Sequence, residues 1–168
     1  NWLGGGTASS NTDGTITSQV SANTTSGFSV VSYTGNGTAG ATIGHGLGVA
    51  PSMIIAKRRS AVENWAVYHK SRGASKYINL DTTTAEQSST SRWNGTEPTS
   101  SVFSVNTHGS VNGSGDTYIA YCFAEKKGFS KFGSYTGNSN ADGTFVYTGF
   151  KPAFFMVKAT NATENWLM

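Results

Sequence analysis

A glycine-rich turn at residues 43–51 holds His45, a residue type that can bind a metal or act as a general base. Such glycines could also cradle phosphate, but a phosphate loop needs Gly-Lys-Ser/Thr opening a helix, and here Ala50-Pro51 leads into a strand-like run. The other histidines, His69 and His108, lie in separate segments without HxH or HxxxH spacing. We therefore expect His45 to cap backbone groups of its turn, and we predict no metal and no cofactor.

Carboxylates and cysteine give no clearer catalytic pattern. The nine Asp and Glu residues are dispersed, although a fold could bring two of them face to face as a glycosidase requires. The single cysteine, Cys122, lies in an apolar run at residues 118–124 and has no CxxC partner, which indicates a small buried side chain. The sequence predicts no enzyme, and a polysaccharide depolymerase is kept as the weakest alternative.

Aromatic side chains are the remaining candidates for recognition. Trp93 lies between Arg92 and Asn94 in a polar segment, so we predict these three as surface recognition residues. Trp65 and Tyr33 could also stack on sugars, but both recur at equivalent places of an internal repeat, which favours core roles.

Composition limits the possible partners. Charged residues make up only 12% of the chain, and the net charge of +3 comes from scattered Lys and Arg, with short clusters at residues 57–59 and 126–127. A nucleic-acid surface would need a denser stripe of cations, so we predict no nucleic-acid partner. No apolar run reaches the length of a membrane span, and we expect no membrane insertion.

The elements that must position these residues are strands. Apolar and β-branched residues alternate in short runs separated by Gly, Asn and Pro, and no window has convincing helical periodicity. This pattern predicts an all-β chain, an antiparallel β-sandwich of jelly-roll-like type. The predicted core residues are Phe28, Val30, Met53, Ile55, Trp65, Val67, Ile78, Leu80, Phe103, Val105, Ile119 and Phe123.

The chain also repeats itself with a period of 101 residues. Gly27-Phe28-Ser29 returns as Gly128-Phe129-Ser130, and Glu63-Asn64-Trp65 returns as Glu164-Asn165-Trp166. One residue is added before the second Ser-Tyr-Thr-Gly-Asn. The module-equivalent structural residues are Tyr33, Pro51, Lys57 and Trp65, matched by Tyr135, Pro152, Lys158 and Trp166.

This period is as long as a whole domain, so it predicts sandwich modules in tandem. Residues 1–26 are expected to be the end of a preceding module with a Gly/Ser/Thr linker and one strand. Residues 27–127 form a complete module, and residues 128–168 begin a second copy. Because the chain opens without Met and stops within a strand-like run, we expect it to be a piece of a longer polypeptide.

Three segments carry a resemblance to a known family. Residues 44–51 with Met53-Ile54-Ile55-Ala56-Lys57, the run at residues 64–69, and residues 116–137 resemble a module of tail-fibre-like and appendage proteins from tailed, especially marine, bacteriophages. The resemblance covers most of residues 27–168 and carries no catalytic residues. It implies a β-rich structural protein on the virion surface, homotrimeric if it is a fibre.

The function expected from the sequence is therefore a bacteriophage virion structural protein. Its partners would be copies of itself, other virion proteins and a host surface glycan reached during host attachment. The alternatives are a capsid decoration protein or a secreted carbohydrate-binding or adhesion module.

Overall fold

The computed structural model describes residues 2–168, and within that range the regular secondary structure consists of ten strands and one short helix. This confirms the predicted all-β class with antiparallel sheets. In chain order the elements are β1 (Ser9–Asn11), β2 (Ser18–Asn23), β3 (Phe28–Thr34), β4 (Ala41–Gly44), β5 (Met53–Arg58), β6 (Ala66–His69), β7 (Lys76–Asn79), β8 (Gln87–Ser88), β9 (Val102–Val105), α1 (Gly109–Asn112) and β10 (Thr117–Phe123).

Eight strands form one sheet in the order β1-β2-β3-β10-β5-β6-β7-β8, and β4 pairs with β9 in a second sheet. Every pair of neighbouring strands is antiparallel. The strand β10 lies between β3 and β5, so the last strand in chain order completes the centre of the large sheet. Helix α1 was not predicted, because a single turn is too short to show helical periodicity.

The inner face of the large sheet packs against β4 and β9. Side chains at alternate positions of the central strands point into this layer, including Val31 and Tyr33 of β3 and Tyr118 of β10. The rings of Tyr33 and Tyr118 stack with centroids 5.1 Å apart. Their hydroxyl groups donate to the carbonyls of Val111 and Gly109, at 2.8 and 2.6 Å, so the buried oxygens are satisfied and tie α1 to the core.

The outer face of the same sheet is also apolar. Met53, Ile55, Val67 and Ile78 form a second cluster there, surrounded by larger side chains that are only partly buried: Trp65, Leu80, Tyr121, Phe123, Phe132, Met156 and Trp166. Three of these, Phe132, Met156 and Trp166, come from the segment that follows β10. That segment therefore covers part of the outer face.

The predicted core needs a correction. Met53, Val67, Ile78, Phe103 and Val105 are buried as expected, and Ile55 is nearly so. Six other predicted residues, Phe28, Val30, Trp65, Leu80, Ile119 and Phe123, are only partly buried on the outer face. The best-buried layer instead contains smaller residues and tyrosines at the alternate positions, because the strands are apolar on both faces and the alternation alone does not say which face is covered.

Residues at both ends of the chain extend this sheet or lie against it. Strands β1 and β2 fall in the segment expected to be a preceding module and linker, and β2 pairs with β3 along its length. Residues 131–168 contain no named strand, only a bridge between Val157 and Leu167. Several of their aromatics are exposed, Phe145 by 84% and Tyr147 by 76%.

Candidate binding surface

The predicted recognition residues do not lie together on the surface. Trp93 is 2% exposed and Arg92 is 7% exposed, so both belong to the interior, and only Asn94 reaches the surface in part. The Trp93 ring meets the edge of Tyr68 with centroids 6.1 Å apart, and the Arg92 guanidinium lies 3.4 Å from the Tyr77 ring centroid. The surface assignment was wrong because this polar segment folds back and places its one large ring in the core.

The structure exposes a different set of residues. An open groove of about 730 Å³ lies at the end of β5 and the beginning of β10, and we call it the basic aromatic groove. It is lined by Lys57, Arg58, Arg59, Ser60, Ala61, Val62, Trp65, Ile119 and Tyr121. Lys57 and Trp65 were predicted from the sequence as repeat positions, but Tyr121 was not predicted as a surface residue. The nearly continuous apolar run in β10 was the signal that both of its faces carry large side chains.

Aromatic rings form a ladder across the outer face beside the groove. Trp65 stacks near Tyr121 with centroids 6.4 Å apart and an interplanar angle of 15°. Tyr121 in turn stacks near Phe28 at 6.5 Å and 6°. All three side chains are partly exposed, so this part of the outer face has an aromatic surface that water can reach. Such a surface suits either a sugar ring or another protein surface.

The loop that borders the groove, residues 57–65, is held by polar contacts at both of its ends. Lys57 Nζ donates to the Glu63 carbonyl and lies 5.7 Å from the Trp65 ring centroid. On the other side, Arg58 pairs with Asp116 at 2.6 Å. The Ser60 hydroxyl and the Arg58 guanidinium both donate to Asp116 and hold the pKa of that carboxyl below its ordinary value. The hydrogen bond from Ser60 has the larger effect. These contacts connect the loop to the start of β10 and join its own two ends.

The second-copy residues reproduce part of this arrangement. Val157 and Leu167 exchange both backbone hydrogen bonds, at 2.8 and 2.9 Å, and they lie 101 positions after the paired residues Ala56 and Ala66. Lys158 Nζ donates to the Glu164 carbonyl at 2.5 Å, as Lys57 does to Glu63. By contrast, Tyr135 and Pro152 are exposed, although Tyr33 and Pro51 are buried.

Glu125 joins the first copy to the segment that follows it. Its carboxylate accepts from Lys70 at 2.9 Å and from Lys131 at 2.8 Å, and it also accepts from the backbone N–H of Phe132 at 3.3 Å. Partial burial alone would raise the pKa of Glu125, but the hydrogen bonds from Lys131, Lys70 and Phe132 outweigh it and lower the pKa to about 2. The ionised carboxylate is therefore the form that fastens Phe132 near the outer face.

The histidines take structural positions. His45 is fully buried; its Nδ1 accepts from the Leu47 N–H at 3.2 Å, so Nε2 carries the proton and donates to the Thr99 carbonyl at 3.2 Å. Burial lowers the pKa of His45, which favours this neutral form. His108 caps α1 through Nδ1, which accepts from the Ser110 N–H. Across residues 2–168 there is no group of three or more His, Cys, Asp or Glu side chains suited to hold a metal ion.

The fold and the groove together define an antiparallel all-β protein with an apolar sheet face open beside a basic loop. The sequence matches, over residues 1–168, a family described as a domain of unknown function, DUF7483, and the chain belongs to that family. No curated protein and no solved structure matches it. Within the described residues, none of the helices has the length and apolar character needed to cross a membrane.

Trp93 is expected to matter more for stability than Trp65. Replacing Trp93 by Ala leaves a cavity in the inner core and should cost about 3 to 5 kcal/mol of unfolding free energy. Trp65→Ala removes a partly exposed ring and should cost clearly less. Urea unfolding of the two variants measures this difference, and a larger loss for Trp65→Ala would contradict the assignment of Trp93 to the core.

Acid should loosen the contact made by Glu125. Its folded pKa is depressed, so its contribution to stability is complete above the ordinary value of 4.5 and is lost as the pH falls toward about 2. In Glu125→Gln, the free energy of unfolding should therefore fall less between pH 4.5 and about 2 than it does in the wild type. Urea unfolding at a series of pH values measures this difference. Asp142→Asn is the control, because Asp142 is exposed and takes no part in an ion pair within residues 2–168. Equal slopes for the Glu125→Gln variant and the wild type would contradict the role of Glu125.

Proposed function

We propose that this chain is a non-enzymatic structural module of a tailed-bacteriophage virion appendage such as a tail fibre, located on the particle surface. The proposal starts from the resemblance of residues 44–57, 64–69 and 116–137 to such modules. The structural observation that carries it is the apolar outer face of the large sheet, where Tyr121, Trp65 and Phe28 remain partly exposed. Continuous apolar surface of this kind is typical of proteins that are covered by a partner.

We also propose that the protein is organised as tandem modules with a period of 101 residues, each a jelly-roll-like sandwich when complete. Two observations favour this arrangement. The Val157–Leu167 bridge and the Lys158–Glu164 contact repeat the pairing of Ala56 with Ala66 and of Lys57 with Glu63 at the same spacing. The pairing of β2 with β3 shows in addition that residues 18–23 contribute to the sheet of the first module.

Self-association is the main partnership that this function requires, together with contacts to other virion proteins. A homotrimer would bring three outer faces toward one axis and remove their aromatic rings from water. Light scattering coupled to size exclusion should therefore give a trimer mass for the wild-type chain. A monomer at all concentrations would contradict the fibre assignment and would favour the alternatives, a capsid decoration protein or a secreted carbohydrate-binding module.

Contact with a host surface glycan is a second role that the Trp65–Tyr121 pair favours. Two nearly parallel, partly exposed rings can stack on sugar faces, and the neighbouring Lys57 and Arg59 can donate to hydroxyl groups. Binding to a glycan array should be lost in Trp65→Ala and kept in Tyr147→Ala, which removes an exposed ring far along the second copy. Equal binding by both variants would remove the groove as the glycan site.

A further inference from the structure

One contact between repeat copies is already present within this chain. The second-copy hairpin, residues 157–167, lies on the edge formed by residues 79–86 of the first copy, which we call the acceptor edge. Trp166 Nε1 donates to the Asn79 carbonyl at 2.9 Å, and Lys158 Nζ donates to the Thr83 carbonyl at 2.8 Å. Two backbone bonds complete the contact: Glu164 N–H to the Thr83 carbonyl, and Glu86 N–H to the Thr160 carbonyl, both at 3.0 Å.

The groups that make this contact have counterparts in the first copy. Lys57, Arg59, Glu63 and Trp65 stand 101 positions before Lys158, Thr160, Glu164 and Trp166. The two hairpins share their closing strand pair and their Lys-to-carbonyl bond. The first-copy hairpin therefore presents the same donors and acceptor in the same local arrangement.

These first-copy groups form one wall of the basic aromatic groove. The main chain of Trp65 meets residues 80–81 of its own copy, because its N–H donates to Asp81 Oδ1 at 3.1 Å and its carbonyl accepts from the Leu80 N–H at 3.0 Å. The bonds that the second-copy hairpin makes to the edge have no equivalent here. Within residues 2–168, neither Trp65 Nε1 nor the Glu63 N–H donates a hydrogen bond. Arg59 is exposed, and Val62 at the tip of the loop is 99% exposed. The chain thus contains the second-copy hairpin bound to an acceptor edge, and a first-copy hairpin whose equivalent donors, Trp65 Nε1 and the Glu63 N–H, have no acceptor within the described residues.

We propose that the groove wall at residues 57–65 docks the acceptor edge of another copy of this module. Trp65 Nε1 would donate to the Asn79 carbonyl of that copy, and Lys57 and Glu63 would reach its Thr83 carbonyl, as their counterparts do here. This inference rests on the tandem arrangement proposed above and names the surfaces that join successive copies.

Most charges at the two surfaces are already paired within the first copy. Glu86 of the acceptor edge pairs with Arg72 and Lys76, and Arg58 of the groove wall pairs with Asp116. Asp81 accepts from the Trp65 N–H of its own copy. The docking therefore rests on the hydrogen-bonding groups of the hairpin, and Arg59 is the exposed side chain at the position equivalent to Thr160.

The geometry of this contact is head to tail. A surface that binds a different surface on the next copy can be extended indefinitely, unlike a closed two-fold pair. In the chain described here, the acceptor edge is capped by the chain's own second-copy hairpin. Association through the groove wall therefore requires an edge that has been released.

The test releases the edge in the full-length chain. Lys158→Ala combined with Trp166→Ala removes both side-chain bonds to the edge and leaves every residue of the inner core unchanged. Light scattering should then show species at least about twofold heavier than the wild type, with a mass that grows with concentration. Adding Arg59→Glu, which reverses the charge at the position equivalent to Thr160, should return the mass to the wild-type value.

The matched control is Lys127→Glu in the same released background. Lys127 is also an exposed cation, but it follows the opposite end of β10. Association that resists Lys127→Glu and is reversed by Arg59→Glu supports the proposal. A released variant that keeps the wild-type mass, or one whose association is unaffected by Arg59→Glu, would overturn it. The mass of the wild type tests the proposed trimer, whereas the masses of the released variants test the docking. Failure of one proposal can therefore be distinguished from failure of the other.

Discussion

The structure depends on a sheet whose two faces are both apolar. In the central strands β5 and β10, successive side chains point to opposite sides, and large or β-branched residues occupy both sets of positions. Burial of apolar surface is the main favourable term in folding, so each face needs a covering layer. The sheet formed by β4 and β9 covers one face. The segment after β10 covers only part of the other.

This difference between the faces accounts for the division of roles in the chain. The inner layer combines small and β-branched residues with Trp93, Phe103 and tyrosines whose buried hydroxyl groups are hydrogen-bonded. The outer layer carries large rings, among them Trp65, Tyr121 and Phe123, that are only partly buried. Phe132, Met156 and Trp166 show how residues beyond the first copy can bury them. The residues that follow β10 therefore contribute to stability by covering part of the outer face.

Sequence patterns predicted much of the fold and little of the candidate site. The alternating apolar runs bounded by Gly, Asn and Pro correctly predicted an all-β chain with antiparallel sheets. They did not identify which face is more deeply buried, because residues such as Ile54 and Ile55 are equally apolar. The exposure of Trp93 was also mispredicted, since a polar neighbourhood in sequence does not report how a loop folds back. The basic aromatic groove joins β5, β6 and β10, and no local pattern shows that these strands are neighbours.

The repeat was the most informative sequence feature for the groove. It identified Lys57 and Trp65 as a recurrent pair before any contact was known, and their counterparts Lys158 and Trp166 now lie on the acceptor edge. The polar contacts at this edge are largely to backbone carbonyls, which explains why no distinctive partner motif appears at residues 79–86. Such contacts depend on the position of the chain more than on the identity of the side chains.

In this structure the second-copy hairpin is docked on residues 79–86 and helps to cover the outer face of the large sheet. Hydrogen–deuterium exchange of the wild-type chain, resolved to individual amides, measures this most directly. The N–H groups of Val157, Glu164 and Leu167 each donate to a backbone carbonyl and should exchange much more slowly than in an unstructured peptide. Val157 and Leu167 bond to each other and report that the hairpin is formed, whereas Glu164 donates to the Thr83 carbonyl and reports docking. Exchange of the Glu164 N–H at the unstructured rate would mean that the hairpin is not docked.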